Sequence, residues 1–138
     1  MSGDFLDSNI LVYVFDKIDV RKSTIAHDLV RAAHADQTAA ISFQVVQETL
    51  NVLTRKLKTP AEDARAFLEH VLLPLWRVMP SPALYRSALD IRTSHGFSFY
   101  DSLIVAAALE SGCTRLYSED LQHGQKIGRL SIHNPFRK

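Results

Sequence analysis

The sequence predicts a three-layer α/β/α domain built on a mainly parallel sheet of four to five strands. Short apolar runs alternate with longer segments of helical periodicity along the 138 residues, and parallel strands need helical crossovers. A hydrophobic fraction of 46% with a charged fraction of 22% suits a folded globular chain and argues against disorder. The length suits one hydrophobic core, so a single domain over residues 1–138 is expected.

Each element has its own signal. "DFLDSNILVYVFD" reads as a strand ending near Asp7 and a helix starting at Ser8 or Asn9, both good N-caps. Residues 22 to 35 place Ile25, Leu29, Ala32 and Ala33 at helical spacing. "AAIS", residues 39 to 42, is a second strand closed by a cap-type serine. Phe43, Val46, Leu50, Leu53 and Leu57 then step by three and four, as in an amphipathic helix. Pro60 fits the first turn of a helix reaching about Leu73. "LWRVMP" is a third strand, and a helix from about Pro82 to Ser94 stops before Gly96. The helix over 98 to 111 is Leu, Ile, Val or Ala throughout from 103 to 109, so it should be covered on nearly all sides; Gly112 ends it. "TRLYS" is a fourth strand and "LSIHN" a fifth.

Composition removes several classes of function. A net charge of +1 is not the basic balance of a protein that holds nucleic acid by charge alone, though it leaves a nucleic-acid enzyme open, since acids at a metal site lower the total. Cys113 has no cysteine partner in the chain, which excludes an intrachain disulfide and a multi-cysteine metal site. No apolar run approaches the roughly 18 residues of a membrane span, and the N-terminus lacks a basic segment leading into a long apolar one. A cytoplasmic protein without a membrane contact is the expectation.

The acids fall at matching ends of the expected strands. Asp7 ends the first. Glu48 lies two turns into the helix after the second, roughly opposite its apolar stripe. Asp101 opens the apolar helix, and Glu119 and Asp120 follow the fourth strand. In a parallel sheet the functional crevice lies beyond the carboxyl ends of the strands. Carboxylates gathered there take up protons or bind a cation, and an oxygen-only donor set favours Mg²⁺ or Mn²⁺ over zinc. Singly, each acid has a plain structural role available. Asp7 and Asp120 suit turns, Glu48 a solvated helix face, and Asp101 a cap arrangement with Ser98.

"FLDSNILVYVFD", "SFQVVQETLNVL", "FSFYDSLIVAAALESGC" and "RLYSEDLQHGQ", in this order, resemble the PIN-domain nucleases, and among them the VapC-type toxins of bacterial toxin–antitoxin pairs. "YDSLIVAAAL" followed by a strand and Ser-x-Asp is the specific part; Asp-Ser-Asn alone is weak. The resemblance spans essentially the whole chain. It implies a Mg²⁺- or Mn²⁺-dependent endoribonuclease that leaves a 5′-phosphate and a 3′-hydroxyl, held inactive by a small VapB-type antitoxin. It matches the acids to Asp7, Glu48, Asp101 and Asp120, as metal ligands and catalytic residues. Glu119 is the neighbouring alternative to Asp120. Asn9 and Ser118 are expected to hold the carboxylates in place.

Competing chemistry is thinner. The six histidines, at 27, 34, 70, 95, 123 and 133, show no paired placement near strand ends, as metal-independent cleavage would want. A signalling receiver domain would need paired acids after the first strand, where "LDSN" has one. A non-catalytic RNA- or protein-binding PIN-like module is the alternative to an enzyme. Arg21, Lys22, Arg55, Lys56, Lys58, Arg92 and Arg129 are basic groups available to phosphates, and Phe99 and Tyr100 are available to stack on a base. An apolar groove for the antitoxin is expected on the helices at 43 to 57 and 60 to 73, with Val45, Val52 and Phe67 as candidates. A homodimer is the expected state.

Overall fold

The first apolar run forms β1 (Asp4–Leu6), and the chain turns at once into α1 (Ser8–Tyr13). A computed structural model describes residues 3–138. The cap of α1 is Asp7 rather than Ser8 or Asn9: its backbone is extended and its carboxylate accepts from the Ser8 amide at 2.7 Å. One residue therefore ends the strand, starts the helix and carries an acid.

Caps set most of the following boundaries. Asp19 accepts from the Lys22 amide to start α2 (Val20–Ala35). After β2 (Ile41–Ser42), the Ser42 hydroxyl accepts from the Val45 amide and begins α3 (Phe43–Asn51). That helix loosens into a π-helical turn over Val52–Lys56. Pro60 precedes α4 (Ala61–Phe67), which passes through a second π-helical turn (Leu68–Leu72) into α5 (Leu73–Leu75). β3 (Trp76–Val78) leads to α6 (Pro82–His95), capped by Ser81 and ended by Gly96 at φ +74°. That left-handed conformation is one glycine adopts without a Cβ penalty. Ser98 then caps α7 (Phe99–Glu110) on the Asp101 amide. The chain finishes with β4 (Arg115–Tyr117), β5 (Lys126–Ile127) and β6 (Leu130–His133).

The four-stranded sheet runs β1-β4-β6-β5, parallel except at β5–β6. A parallel β2–β3 pair adjoins it through a bridge between Phe5 and Ala40, with the Leu6 amide donating to the Ala40 carbonyl at 3.2 Å. The expected mainly parallel sheet flanked by helices is what forms. β5 is additional: two residues between Gly124 and Gly128 are too short to show alternation in sequence.

α7 is the central helix of the core, buried without a break from Ser102 to Ala108. Its alanines at 106 to 108 let α6 pack closely, and Phe5, Leu116 and Ile132 of the strands belong to the same apolar cluster. Burying each such large side chain stabilises the fold by roughly 1.5–3 kcal/mol. A helix clamped in this way gives its first turn, and Asp101 within it, a rigid base.

Candidate metal centre

Asp7 is buried, with 4% of its surface exposed. Its Oδ1 accepts from the Ser8 amide, and its Oδ2 accepts from the Ser118 hydroxyl at 2.8 Å. Burial pushes its carboxyl up to about 7, and the charges of Glu48 and Asp120 push the same way, against the lowering effect of those two hydrogen bonds. A buried acid pressed by two other acids favours proton uptake or cation binding.

Glu48 is half-buried and held at both oxygens. Ser8 Oγ donates to its Oε1 at 3.1 Å, and Gln44 Nε2 donates to its Oε2 at 3.3 Å. Asp120 is fixed from two sides: Asn9 Nδ2 donates to its Oδ2 at 3.1 Å, and its own amide donates to Ser118 Oγ at 3.2 Å. Asn9 also accepts, through Oδ1, from the Glu119 amide at 3.3 Å. Asn9 and Ser118 each hydrogen-bond a carboxylate of this cluster. Ser8 and Gln44 are additional members of this network; Gln44, one turn before Glu48 in "SFQVVQE", carried the available sequence signal.

Asp101 stands in the first turn of α7, half-buried, and its carboxylate accepts no hydrogen bond among the described residues. Its turn is joined to Glu48 through Gln44, whose Nε2 also donates to the Tyr100 carbonyl at 3.1 Å. The structure therefore ties Asp7, Glu48 and Asp120 into one network and puts the turn bearing Asp101 beside it. No group of three or more His, Cys, Asp or Glu among the described residues is arranged as a ready ligand set; the carboxylates of Asp7, Glu48 and Asp120 are engaged by amides, hydroxyls and side-chain amides instead.

The donors fit a hard divalent cation. Every polar group around Asp7, Glu48 and Asp120 presents oxygen or an amide, with no thiol or imidazole. The ion pairs among the described residues, Lys22–Glu119, Arg31–Asp28 and Arg115–Asp4, all leave these three acids and Asp101 without a basic partner. Carboxylates with no basic partner among the described residues, and no thiol or imidazole among their hydrogen-bond neighbours, are the oxygen donors that a hard cation such as Mg²⁺ or Mn²⁺ takes.

Glu119 is engaged differently from Asp120. Its carboxylate receives Lys22 Nζ and, at 2.6 Å, the Tyr13 hydroxyl. Lys22 also lies over the rings of Tyr13 and Phe136. Arg21 donates to the carbonyls of Phe136 and Arg137. These two basic residues, open to phosphate in the sequence reading, are thus bound within the fold.

Two further expectations change. His123 and His133 do pair, their ring centroids 4.8 Å apart, because β6 returns beside the loop that carries His123. His123 Nδ1 accepts from the Asn134 amide, and the charges acting on His133 are those of His123, Arg115, Arg137 and Asp4, none of the four site acids. Val45 and Phe67 belong to the core, so they cannot line a groove. Val52 does line one, an opening of about 860 Å³ between α1 and the 52–60 segment that also includes Val12, Phe15, Ile18 and Leu57 and begins at Ser8 and Asn9. Tyr100 is exposed, at 65%.

Fold and acid placement together define an α/β domain with its polar centre at the carboxyl edge of a parallel sheet. A family model described as "PIN domain" matches residues 5–126, and the chain belongs to that family. Solved structures of similar fold include a toxin–antitoxin complex from Klebsiella pneumoniae, at 18% identity and TM-score 0.72, covering 98% of this chain and 99% of that one. VapBC2 from Rickettsia felis, bound to a DNA fragment from its promoter, is 19% identical at TM-score 0.66, covering 96% and 98%. VapC20 from Mycobacterium tuberculosis, described as a sarcin-ricin loop cleaving toxin, is 20% identical at TM-score 0.61, covering 85% and 91%. At these identities the likeness is one of fold. No curated protein matches the chain in sequence. No helix among the described residues is long and apolar enough to cross a membrane.

Proposed function

We propose that the chain is a metal-dependent endoribonuclease, the VapC-type toxin of a toxin–antitoxin pair. The observation that carries this reading is the buried Asp7, pressed by Glu48 and Asp120, with no ion-pair partner for these acids among the described residues. Asp7, Glu48, Asp101 and Asp120 would hold the ion. A bound Mg²⁺ or Mn²⁺ supplies a water of lowered pKa and neutralises charge building on the scissile phosphate.

The chain's own residues prepare that chemistry. Ser118 and the Ser8 amide fix both oxygens of Asp7. Asn9 orients Asp120, while Ser8 and Gln44 orient Glu48. Such groups, held by packed helices and strand ends, keep carboxylates from relaxing apart. The histidine route is disfavoured because neither His123 nor His133 takes part in this network.

Incubating the purified protein with structured RNAs tests the reading. Cleavage with Mg²⁺ or Mn²⁺, leaving 5′-phosphates, and its loss in EDTA are expected. Cleavage that persists in EDTA, or in an Asp7→Asn variant, would overturn it. An RNA that is bound but never cut would favour the non-catalytic module.

The partner in this reading is a VapB-type antitoxin, its apolar segment entering the groove lined by Val12, Phe15, Ile18, Val52 and Leu57. Ile18, 95% exposed, is the outermost apolar contact such a segment would cover. The similar fold of the Klebsiella toxin–antitoxin complex and of Rickettsia VapBC2 supports a partner of this kind. A homodimer and a cytoplasmic setting complete the proposal; sedimentation of the purified chain tests the first.

A further inference from the structure

We infer that Gln44 is a positioning residue that sets the spacing between Glu48 and Asp101, and through it the affinity of the centre for a divalent cation. The inference rests on the metal-centre reading above and concerns a residue that reading does not require. Gln44 is buried, 4% exposed, at the start of α3. Its Nε2 donates to Glu48 Oε2 on its own helix and to the Tyr100 carbonyl of α7, one residue before Asp101. Both partners are acceptors, so the amide must present its nitrogen to them. One side chain therefore spans the two helices that bear the second and third acids.

The other half of the same amide is unpaired. Gln44 Oε1 is buried and has no hydrogen-bond partner among the described residues. A buried acceptor without a donor costs stability, so Gln44 is a poor choice if its task is to hold the core together. An apolar side chain of the same length would fill the space without that cost. What the apolar side chain cannot do is hold the Glu48 carboxylate against the first turn of α7. Loss of groups that orient metal ligands typically weakens metal binding about 10–100-fold.

The two roles predict different outcomes in one variant. Gln44→Met keeps length and volume, removes the orphan oxygen and removes both donated bonds. Mn²⁺ binding by isothermal calorimetry and thermal unfolding in EDTA are compared for wild type, Gln44→Met and Gln44→Leu. The expected result is Mn²⁺ affinity lowered about tenfold or more in a protein that still unfolds cooperatively in EDTA. Wild-type affinity in a folded Gln44→Met protein would overturn the inference. So would loss of folding in both variants, since Gln44 would then be structural. Wild type that binds no Mn²⁺ would bring down the metal-centre reading itself, an outcome distinct from equal binding by wild type and variant.

Discussion

The Ser118 hydroxyl donates to Asp7 Oδ2 at 2.8 Å, joining residues 111 positions apart in the chain. The same oxygen accepts from the Asp120 amide, so one fully buried side chain holds both the first and the last acid of the cluster. Ser118→Ala leaves a buried carboxylate oxygen and a backbone amide short of a partner. A loss of about 1–3 kcal/mol in urea unfolding is expected. The Asp7 carboxyl should also move further up, because a bond that lowers it is gone.

Asp7→Asn should stabilise the metal-free protein at neutral pH while abolishing cleavage. The folded state holds the Asp7 proton to about 7, above the ordinary value of 3.8, so the native protein binds that proton more tightly than the unfolded chain. Stability is therefore greatest below about pH 4 as far as this group is concerned, and falls as pH rises towards 7. Asparagine has no proton to lose. In EDTA the variant should gain on the order of 2–4 kcal/mol at about pH 8 and almost nothing at about pH 4. Added Mg²⁺ should narrow the gap by stabilising wild type alone.

Asp101→Asn should remove cleavage at little cost to folding. Its carboxylate accepts no hydrogen bond from the described residues, and the Ser98 cap on its amide survives the change. A stability shift within about 0.5 kcal/mol is expected by thermal unfolding. A large destabilisation would mark Asp101 as a structural helix-start residue.

Glu119 and Asp120 should separate cleanly. Lys22 and Tyr13 occupy the Glu119 carboxylate, so Glu119→Gln should keep Mn²⁺ binding in calorimetry, whereas Asp120→Asn should weaken it about tenfold. Lys22→Met should cost about 1 kcal/mol of stability, since the pair is partly exposed. Glu119 chiefly, with Tyr13, raises the Lys22 ammonium above its ordinary 10.5. The contribution is thus complete below that value and lost only at more alkaline pH, leaving the difference from wild type flat across about pH 6 to 9.

Much of the fold was legible because its signals are local. Caps at Ser42 and Ser98 and the helix-ending Gly96 act within a few residues, and the apolar periodicity of α2 and α3 survives in one dimension. β5 was not legible, being two residues long, and neither were the π-helical turns after Asn51 and Phe67, whose residues carry ordinary helical sequence. Val45 and Phe67 show the same limit. An apolar residue on a helix reads alike whether it faces a core or a groove, and only the neighbouring elements decide.

The sequence by itself determined the alternation of strands and helices, apart from β5, because caps, glycines and apolar periodicity act over short spacing, and it placed acids at the strand ends. Which side chains hold those acids was decided only in three dimensions. Ser8 and Gln44 meet Glu48, Ser118 meets Asp7, and Lys22 engages Glu119 while leaving Asp120 to the cluster. Most of these contacts join residues far apart in the chain, and it is the parallel sheet, bringing its strand ends to one edge, that makes them neighbours.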